Sequence, residues 1–547
     1  MPMRQLSGHD AGFLYTDTAQ ANANVSLLHI HDQSTAPGGV VRFKAILAQI
    51  ERRLSAAPLF RQRLQRVPMG LDHPYWVDDP HFDLEYHVRH IALPKPGDWR
   101  QFCIQVSRIH ARALDFDRPL WEAYVIEGLD SFLDLPEGSF ALLFKSHLAA
   151  ADLGHLGALS SLLYDTSANP GAPPPPEPWF AEPAPGRLGL VRRGLVNSAT
   201  APLRLARPLL RAATAVAPAA VALASEMLLR PQNLPATRFN SVVSPHRVFE
   251  TRRFTEAEFD AIRALVPGAT TDDAVAAVIG GALRRYLEDQ GELPAGHSLA
   301  AIVPQPAAPL PAVPAPRPGR RRAARAAAVA PRAAASPLAW RHVRLGTDIA
   351  DPLQRLQVLH VQALQGPDEV ARALGSRALV EAGEQASAAL LAWGRRLVVR
   401  AGARLGSRTP PANCTLAELP APAQPMYLCG ARLSYFSAIL PISDGLGLAF
   451  AVTRYDGRVV ISPTSCRELM PDPEAFAQCL RDSFQDYLAL AQRPSPAPRP
   501  RPAVRRAKAA ASARPAQALN GAAAPAVKAA RPRASSAGRP RRASRPG

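Results

Sequence analysis

Residues Phe140–Asp165 read FALLFKSHLAAADLGHLGALSSLLYD, and the fold turns on how this stretch is parsed. The unbroken apolar run from Phe140 to Phe144 is short enough to be a buried strand rather than a helix. After Lys145, Ser146 and His147 the sequence becomes rich in alanine and leucine, with Leu156, Leu159, Leu162 and Leu163 at helical spacing. A histidine leaving a buried strand at its carboxyl end stands where α/β proteins place chemistry.

The chain around it has 547 residues, enough for two or more sizeable cores, and 47% hydrophobic content suits a globular protein. Its 56 prolines are about twice the ordinary share. The net charge of +19 raises the expectation of a nucleic-acid or membrane partner, but its location matters. Residues 493–547 hold 14 Lys and Arg with no acid, and residues 306–337 add six Arg without an acid. Taking both from +19 leaves −1, so the body is nearly neutral. Both segments are Ala/Pro/Arg-rich and are expected to be disordered. Fourteen positive charges on a flexible tail would hold nucleic acid non-specifically, although only five basic residues of 64 in the chain are lysine, which points to compositional bias. Five cysteines without a CxxC pairing read as reduced structural thiols of a cytoplasmic protein. Met1–Gly12 lacks the apolar core of a signal peptide, and Pro218 and Glu226 interrupt Ala212–Leu229, the nearest approach to a membrane span.

Several further stretches carry pattern. Leu6–Tyr15 (LSGHDAGFLY) leads into the strand NVSLLHIHD, where His29 and His31 share a face; a metal would need a third ligand, so a half-exposed strand is the preferred reading. Val41–Leu54 and Asp98–Leu114 read as helices, YWVDDPHFDLEYHV between them as strand, and Asp117–Glu122 (DRPLWE) feeds another strand. Thr166–Pro185 is a proline-rich linker, and Arg187–Arg230 sets arginines among Leu and Val. That segment is either a crossover or a basic amphipathic helix lying on an anionic membrane. In GATTDDAVAAVIGGALRRYL, Thr271 or Asp272 would cap a helix, as Thr347 or Asp348 would in LGTDIADPLQRL.

Lys145–Leu153 resembles the K-x-H-H-x-x-x-D-G run of the bacterial wax ester synthase/diacylglycerol acyltransferase family. Lys145, His147 and Asp152 match, Leu148 stands where that family has its second His, and Leu153 where it has Gly. Taking His147 as the second His would leave four residues, not three, before Asp152. Arg118–Glu122 matches the family's R-P-L-W-E at all five positions, and Leu6, Ser7, Asp10, Phe13 and Leu14 follow its amino-terminal pattern. Thr270–Leu287, Leu345–Leu356, Leu416–Arg432 and Asp444–Gly457 resemble four later motifs, with Asp272, Glu418 and Ala449 at family Asn positions, Ala421 at a Gly and Arg454 at a Ser. After Ile302–Pro304 a basic insert replaces the expected strand end.

The resemblance implies an α/β fold of two chloramphenicol-acetyltransferase-like halves with a tunnel between them. The halves are expected at residues 1–165 and 239–490, joined by a linker and crossover at 166–238, with the insert at 306–337 and a tail at 491–547. It also implies transfer of an acyl group from acyl-CoA to diacylglycerol or a long-chain alcohol, giving triacylglycerol or wax ester. No cofactor and no metal enter; acyl-CoA is a substrate. In the family the second His takes the hydroxyl proton. Here that position is Leu148, so His147 supports the motif's backbone, Asp152 fixes the loop, and turnover is expected to be weak or absent. His155, on the following helix, would substitute only if that helix began differently. Two alternatives stand beside this: a non-catalytic lipid-binding or lipid-body protein, peripheral on its surface, and a protein tethered to nucleic acid through residues 493–547.

Overall fold

The apolar run is strand β7 (Phe140–His147), and all eight of its residues are buried. Its continuous hydrophobicity has a simple cause: both neighbours are antiparallel strands and both faces are covered. β2 (Asn24–Asp32) pairs along one side, with Asn24 opposite His147, and β6 (Trp121–Glu127) along the other, with Trp121 opposite Ser146. Leu142 and Phe144 enter a large core with Ile46 and Ile50 of α2 (Phe43–Arg53) and Leu156 of α5 (Leu153–Ser161). Ala141 and Leu143 face a second core with Phe102, Val106 and Ile109 of α4 (Trp99–Ala111).

A computed structural model of the chain describes residues 3–129, 135–136, 138–169, 171, 179–200, 234–306, 338–365, 410, 412–420, 422 and 424–493. Residues Met1–Arg493 form one unit. Strands β1 (Arg4–Gln5), β3 (Gln62–Gln65) and β4 (Tyr75–Asp78) make a small sheet beside α1 (Gly8–Thr16). After the short α3 (Leu84–His87), β5 (Val88–Ala92) completes one edge of the six-stranded sheet. Its other edge comes from far along the chain. β13 (Tyr427–Leu428) and β14 (Ala431–Ile439) close the order β13-β14-β2-β7-β6-β5, with Arg432 opposite Asp32.

The second sheet holds β8 (Arg247–Phe249), β9 (Arg252–Thr255), β10 (Ala300–Pro306), β11 (Leu338–Arg344), β12 (Cys414–Leu419), β15 (Ala449–Tyr455) and β16 (Arg458–Cys466). Its order is β11-β10-β12-β15-β16-β8, with β9 also on β16. β14 joins the two sheets: Ser437 Oγ and Ser462 Oγ lie 2.7 Å apart, and Thr453 Oγ1 donates to the Phe436 carbonyl at 2.7 Å. Helices α7 (Glu256–Arg263), α8 (Thr271–Asp289), α9 (Pro352–Leu364) and α10 (Pro473–Ala491) accompany this sheet; α6 (residues 187–200) lies between the halves in sequence.

Several local expectations change. Thr270, not Thr271 or Asp272, caps α8, because only its hydroxyl reaches the Asp273 amide while Asp273 bonds back to the Thr270 amide. Asp351, not Thr347 or Asp348, caps α9; Thr347 is buried and accepts from the Leu299 amide. YWVDDPHFDLEYHV divides into β4, α3 and β5 rather than one strand. β10 runs on through Pro306, paired to β11, so the basic segment connects two antiparallel strands. Pairing of β10 to β12 covers only Ala301 and Ile302; Pro304 and Pro306 beyond bring no N–H to a ladder. His29 and His31 are buried, not half-exposed, because Tyr164 packs on both rings, Phe436 of β14 on His29 and Phe140 on His31. His29 Nδ1 meets the Tyr164 hydroxyl at 2.6 Å, and burial pulls its pKa down to about 3. Among the described residues no group of three or more His, Cys, Asp or Glu is placed to hold a metal. There too, no helix is long and apolar enough to cross a membrane. Ala212–Leu229, Ala421, the insert from residue 307 and the tail from residue 494 lie outside the described residues.

Candidate active site

β7 ends at His147, the chain turns through Leu148–Ala151, and Asp152 caps α5 by accepting from the His155 amide at 2.9 Å. The three motif positions therefore sit within one strand–turn–helix junction. The turn is closed by the Ala150 and Ala151 amides bonding to the His147 carbonyl, and the Leu148 amide is held by the Ala23 carbonyl at 2.9 Å. Leu153 is the first helical residue of α5, so its backbone has no need of the glycine found there in the motif it resembles.

His147 is buried and fully engaged. The Ala149 amide donates to Nδ1 at 3.0 Å, which fixes the ring proton on Nε2, and Nε2 lies 3.0 Å from Asp17 Oδ2. Phe116 packs edge-on against the ring at 5.4 Å. No lone pair is left to collect a proton. Leu148 is buried in the large apolar core, in the company of Leu156 and Leu163. His155 is half-exposed and turned back onto the motif carboxylate, Nδ1 to Asp152 Oδ1 at 2.8 Å.

The Lys145 ammonium is completely buried. It donates to the Ile109 carbonyl at 3.0 Å and to that of Arg112, closing the carboxyl end of α4, and lies 3.7 Å from Glu122. Burial pulls its pKa down to about 8; Glu122 opposes the shift and Arg112 adds to it. Glu122 also accepts from the Tyr124 hydroxyl at 2.9 Å. The Arg118–Glu122 motif thus shares a strand pair with the histidine motif, Glu122 directly opposite Lys145. Trp121 anchors it, stacked on His87 at 4.7 Å and donating to the Phe60 carbonyl at 3.0 Å.

Three departures from the resembled motifs meet in space. Arg454 Nε lies 3.2 Å from Glu418 Oε1, and another guanidinium nitrogen bonds Asp272. These residues come from β15, β12 and the first turn of α8. Where the resembled motifs carry two Asn and a Ser, this chain places two acids around one arginine. Burial and the Asp272 charge push the Glu418 carboxyl up, while Arg454 opposes them. Ala449, the remaining described departure, is buried and stands apart at the other end of β15.

Sequence reasoning missed Asp17, which lies 130 positions from His147 and carries no motif of its own. An acid closing the amino-terminal helix, α1, was the only available hint.

The sequence pattern of the wax ester synthase/diacylglycerol acyltransferase catalytic domain matches residues 6–275, and that of the WS/DGAT C-terminal domain residues 338–487. A Mycobacterium tuberculosis protein named "Putative diacyglycerol O-acyltransferase MT1809" is 31% identical over 502 residues, covering 88% of this chain and 91% of its own. A second from that organism, bearing the same name with MT3172, is 32% identical over 476 residues, covering 83% and 90%. The solved wax ester synthase/diacylglycerol acyltransferase from Marinobacter aquaeolei VT8 shares the fold, with a TM-score of 0.59 at 22% identity, over 89% of this chain and 99% of that one. With both domain patterns matched and relatives above 30% identity along most of its length, the chain belongs to the wax ester synthase/diacylglycerol acyltransferase family.

Proposed function

We propose that this chain is a divergent acyl-CoA-dependent O-acyltransferase whose chemical step is slow or absent. The donor is an acyl-CoA thioester, and the acceptor is the hydroxyl of diacylglycerol or a long-chain alcohol. The two meet in a tunnel between the halves. In the forward reaction the acceptor oxygen bonds to the thioester carbonyl carbon, its proton leaves to a base, and the C–S bond breaks to release CoA. One observation carries the reading: the base position holds Leu148, while the adjacent His147 spends both ring nitrogens on Ala149 and Asp17. Loss of a general base costs roughly 10²–10⁴ in rate. Purified chain incubated with radiolabelled acyl-CoA and diacylglycerol or hexadecanol is expected to form ester at least about a hundredfold more slowly than a relative with the histidine pair. Equal turnover would refute the proposal.

A second reading, attachment to a lipid surface, is favoured by α6. Leu190, Gly194, Asn197 and Ser198 lie on one helical face against the segment Val67–Tyr75: Leu190 is fully buried, and Ser198 donates to the Leu71 carbonyl at 2.7 Å. The opposite face presents Leu188, Leu195 and Val196 at 87%, 54% and 55% exposure. Arg192 lies among these apolar side chains at helical spacing and Arg193 at the border of that face, so the exposed side of α6 mixes apolar and basic groups, as on a helix that lies on an anionic membrane. The chain is expected to sediment with phosphatidylglycerol vesicles and to lose that property with Leu188→Glu and Leu195→Glu together. Unchanged sedimentation would refute this role for α6.

A further inference from the structure

β2 carries two histidines that the chemistry of the motif does not use. His29 and His31 share the face of Val25 and Leu27, which enter the core with Ile46 of α2 and Leu156 of α5, and they are 1% and 0% exposed. Both rings are built into one aromatic cluster. His31 stacks on Phe140 of β7 at 5.0 Å and on Tyr164 at 5.5 Å, with interplanar angles of 18° and 15°. The Tyr164 hydroxyl lies 2.6 Å from His29 Nδ1, and Phe436 of β14 packs on the His29 ring at 5.1 Å. Tyr164 stands three residues beyond the end of α5, on a tight turn in which the Leu163 and Tyr164 amides bond the Ser160 and Ser161 carbonyls. One side chain thus ties the carboxyl end of the helix that begins after Asp152 to β2, bonded to one imidazole and stacked on the other.

The tie has no provision for charge. Neither ring nitrogen of His31 has a hydrogen-bond partner of good geometry, although the Phe140 backbone lies near enough to favour a proton slightly. Among the described residues no acid pairs with either imidazole. On the inward face of α2, Gln49 is engaged by the Leu163 carbonyl at 3.1 Å and the Cys429 amide at 2.8 Å. Arg53 of α2 and Asp165 are paired with each other, as are Arg432 of β14 and Asp456. Asp32, next on β2, accepts from the Ser34 amide at 2.9 Å, and His155 of α5 is turned onto Asp152. Lys145, at the far end of β7, lies beside Glu122. Tyr455 of β15, the titratable neighbour of Tyr164, accepts from the Met426 amide at 3.2 Å.

An imidazolium in this cluster meets neither a counter-ion nor water. Burial holds His29 down at about 3, and burial with His29 alongside holds His31 well below the ordinary imidazole range. Opened to water, both rings return to about 6.5. The open form therefore binds protons from about pH 6.5 downward, while the closed His29 binds one only near pH 3, so acid favours opening across that window.

We propose that His29, His31 and Tyr164 form an acid-released latch on the motif helix. At neutral pH it holds the carboxyl end of α5 against β2, and through α5 it steadies the turn after His147. In acid each imidazole takes a proton from solvent, the Tyr164 contact is lost, and α5 comes free while the rest of the fold stays closed.

Hydrogen exchange on the full chain, read by mass spectrometry for peptides of α5 and, as a reference, of α10, tests this between about pH 7.5 and about pH 5 after correction for intrinsic rates. One imidazole shifted as His29 is raises the open-to-closed ratio about thirtyfold over that interval, and His31 adds to it. Protection of α5 is expected to fall at least about thirtyfold in the wild type, with α10 unchanged. In His29→Gln/His31→Phe, which keeps a polar group for Tyr164 and the ring stack, the fall is expected to shrink below about threefold. His31→Phe alone should lie between the two. Wild-type α5 protection that is equal at both pH values would overturn the latch, as would a double variant that follows the wild-type curve. Loss of α10 protection in step with α5 would also overturn it, since acid would then be unfolding the whole chain. If the double variant does not fold, His31→Phe decides: a fall as large as the wild type's overturns the proposal.

Discussion

Placing an imidazole at position 148 tests the central argument directly. Leu148→His restores the missing proton acceptor between His147, whose nitrogens are committed, and Asp152, which caps α5. A general base contributes roughly 10²–10⁴ in rate, or about 3–5 kcal/mol of barrier. The cost falls on stability. Leu148 is 6% exposed in the main apolar core, so exchanging its methyls for a polar ring costs about 2–3 kcal/mol. Burial cuts both ways: desolvation, which pulls His29 down to about 3, keeps a buried ring at 148 neutral with its lone pair free, but it also lowers that ring's basicity and holds the gain toward the lower end of that rate range. The assay is ester formation from radiolabelled acyl-CoA, with Leu148→Asn as a polar control that lacks a base of this kind. The expected result is a gain of at least about a hundredfold for Leu148→His over Leu148→Asn, with a flat pH profile between about pH 6 and 8. A folded Leu148→His protein no faster than Leu148→Asn would refute the reasoning.

Two further outcomes follow from buried and surface charge. Lys145 has a folded pKa of about 8 against about 10.5 unfolded, so between these values the unfolded chain binds more protons and stability rises with pH. The wild type should therefore gain up to about 3 kcal/mol relative to Lys145→Met from pH 8 to pH 10.5, read from denaturant melts; parallel curves would refute the buried charge. Arg454→Ser breaks the Asp272–Arg454–Glu418 cluster, whose acids are 68% and 46% exposed, and should cost less than about 1 kcal/mol in thermal unfolding. A loss above about 3 kcal/mol would show that the cluster is structural rather than a surface compensation.

What could be read from the sequence depended on how local the cause was. β7 and α5 were legible because an apolar run and a leucine stripe carry their own periodicity. That the Arg118–Glu122 and Lys145–His147 motifs belong together could be read as order along the chain, but not that Glu122 would lie opposite Lys145. The caps of α8 and α9 were misassigned by one to four residues because Thr270, Thr271 and Asp272, or Thr347, Asp348 and Asp351, all offer capping oxygens. Only backbone geometry decides which one reaches the third amide. His29 and His31 looked half-exposed because nothing near them in sequence announces that Tyr164, and Phe436 of the distant strand β14, will cover their face. The departures at Asp272, Glu418 and Arg454 were each visible, while their meeting was not.

That late-arriving strand also governs how the protein is made. β2 leaves the ribosome with its second edge open, and its partner follows only after about four hundred more residues, at Ala431–Ile439. At ordinary synthesis speeds of 5–20 residues per second the nascent amino-terminal sheet waits roughly 20–80 seconds with that edge unprotected. A polypeptide released before residue 439 would keep a long apolar edge strand available to any neighbour, so truncated products should aggregate rather than fold as a smaller domain.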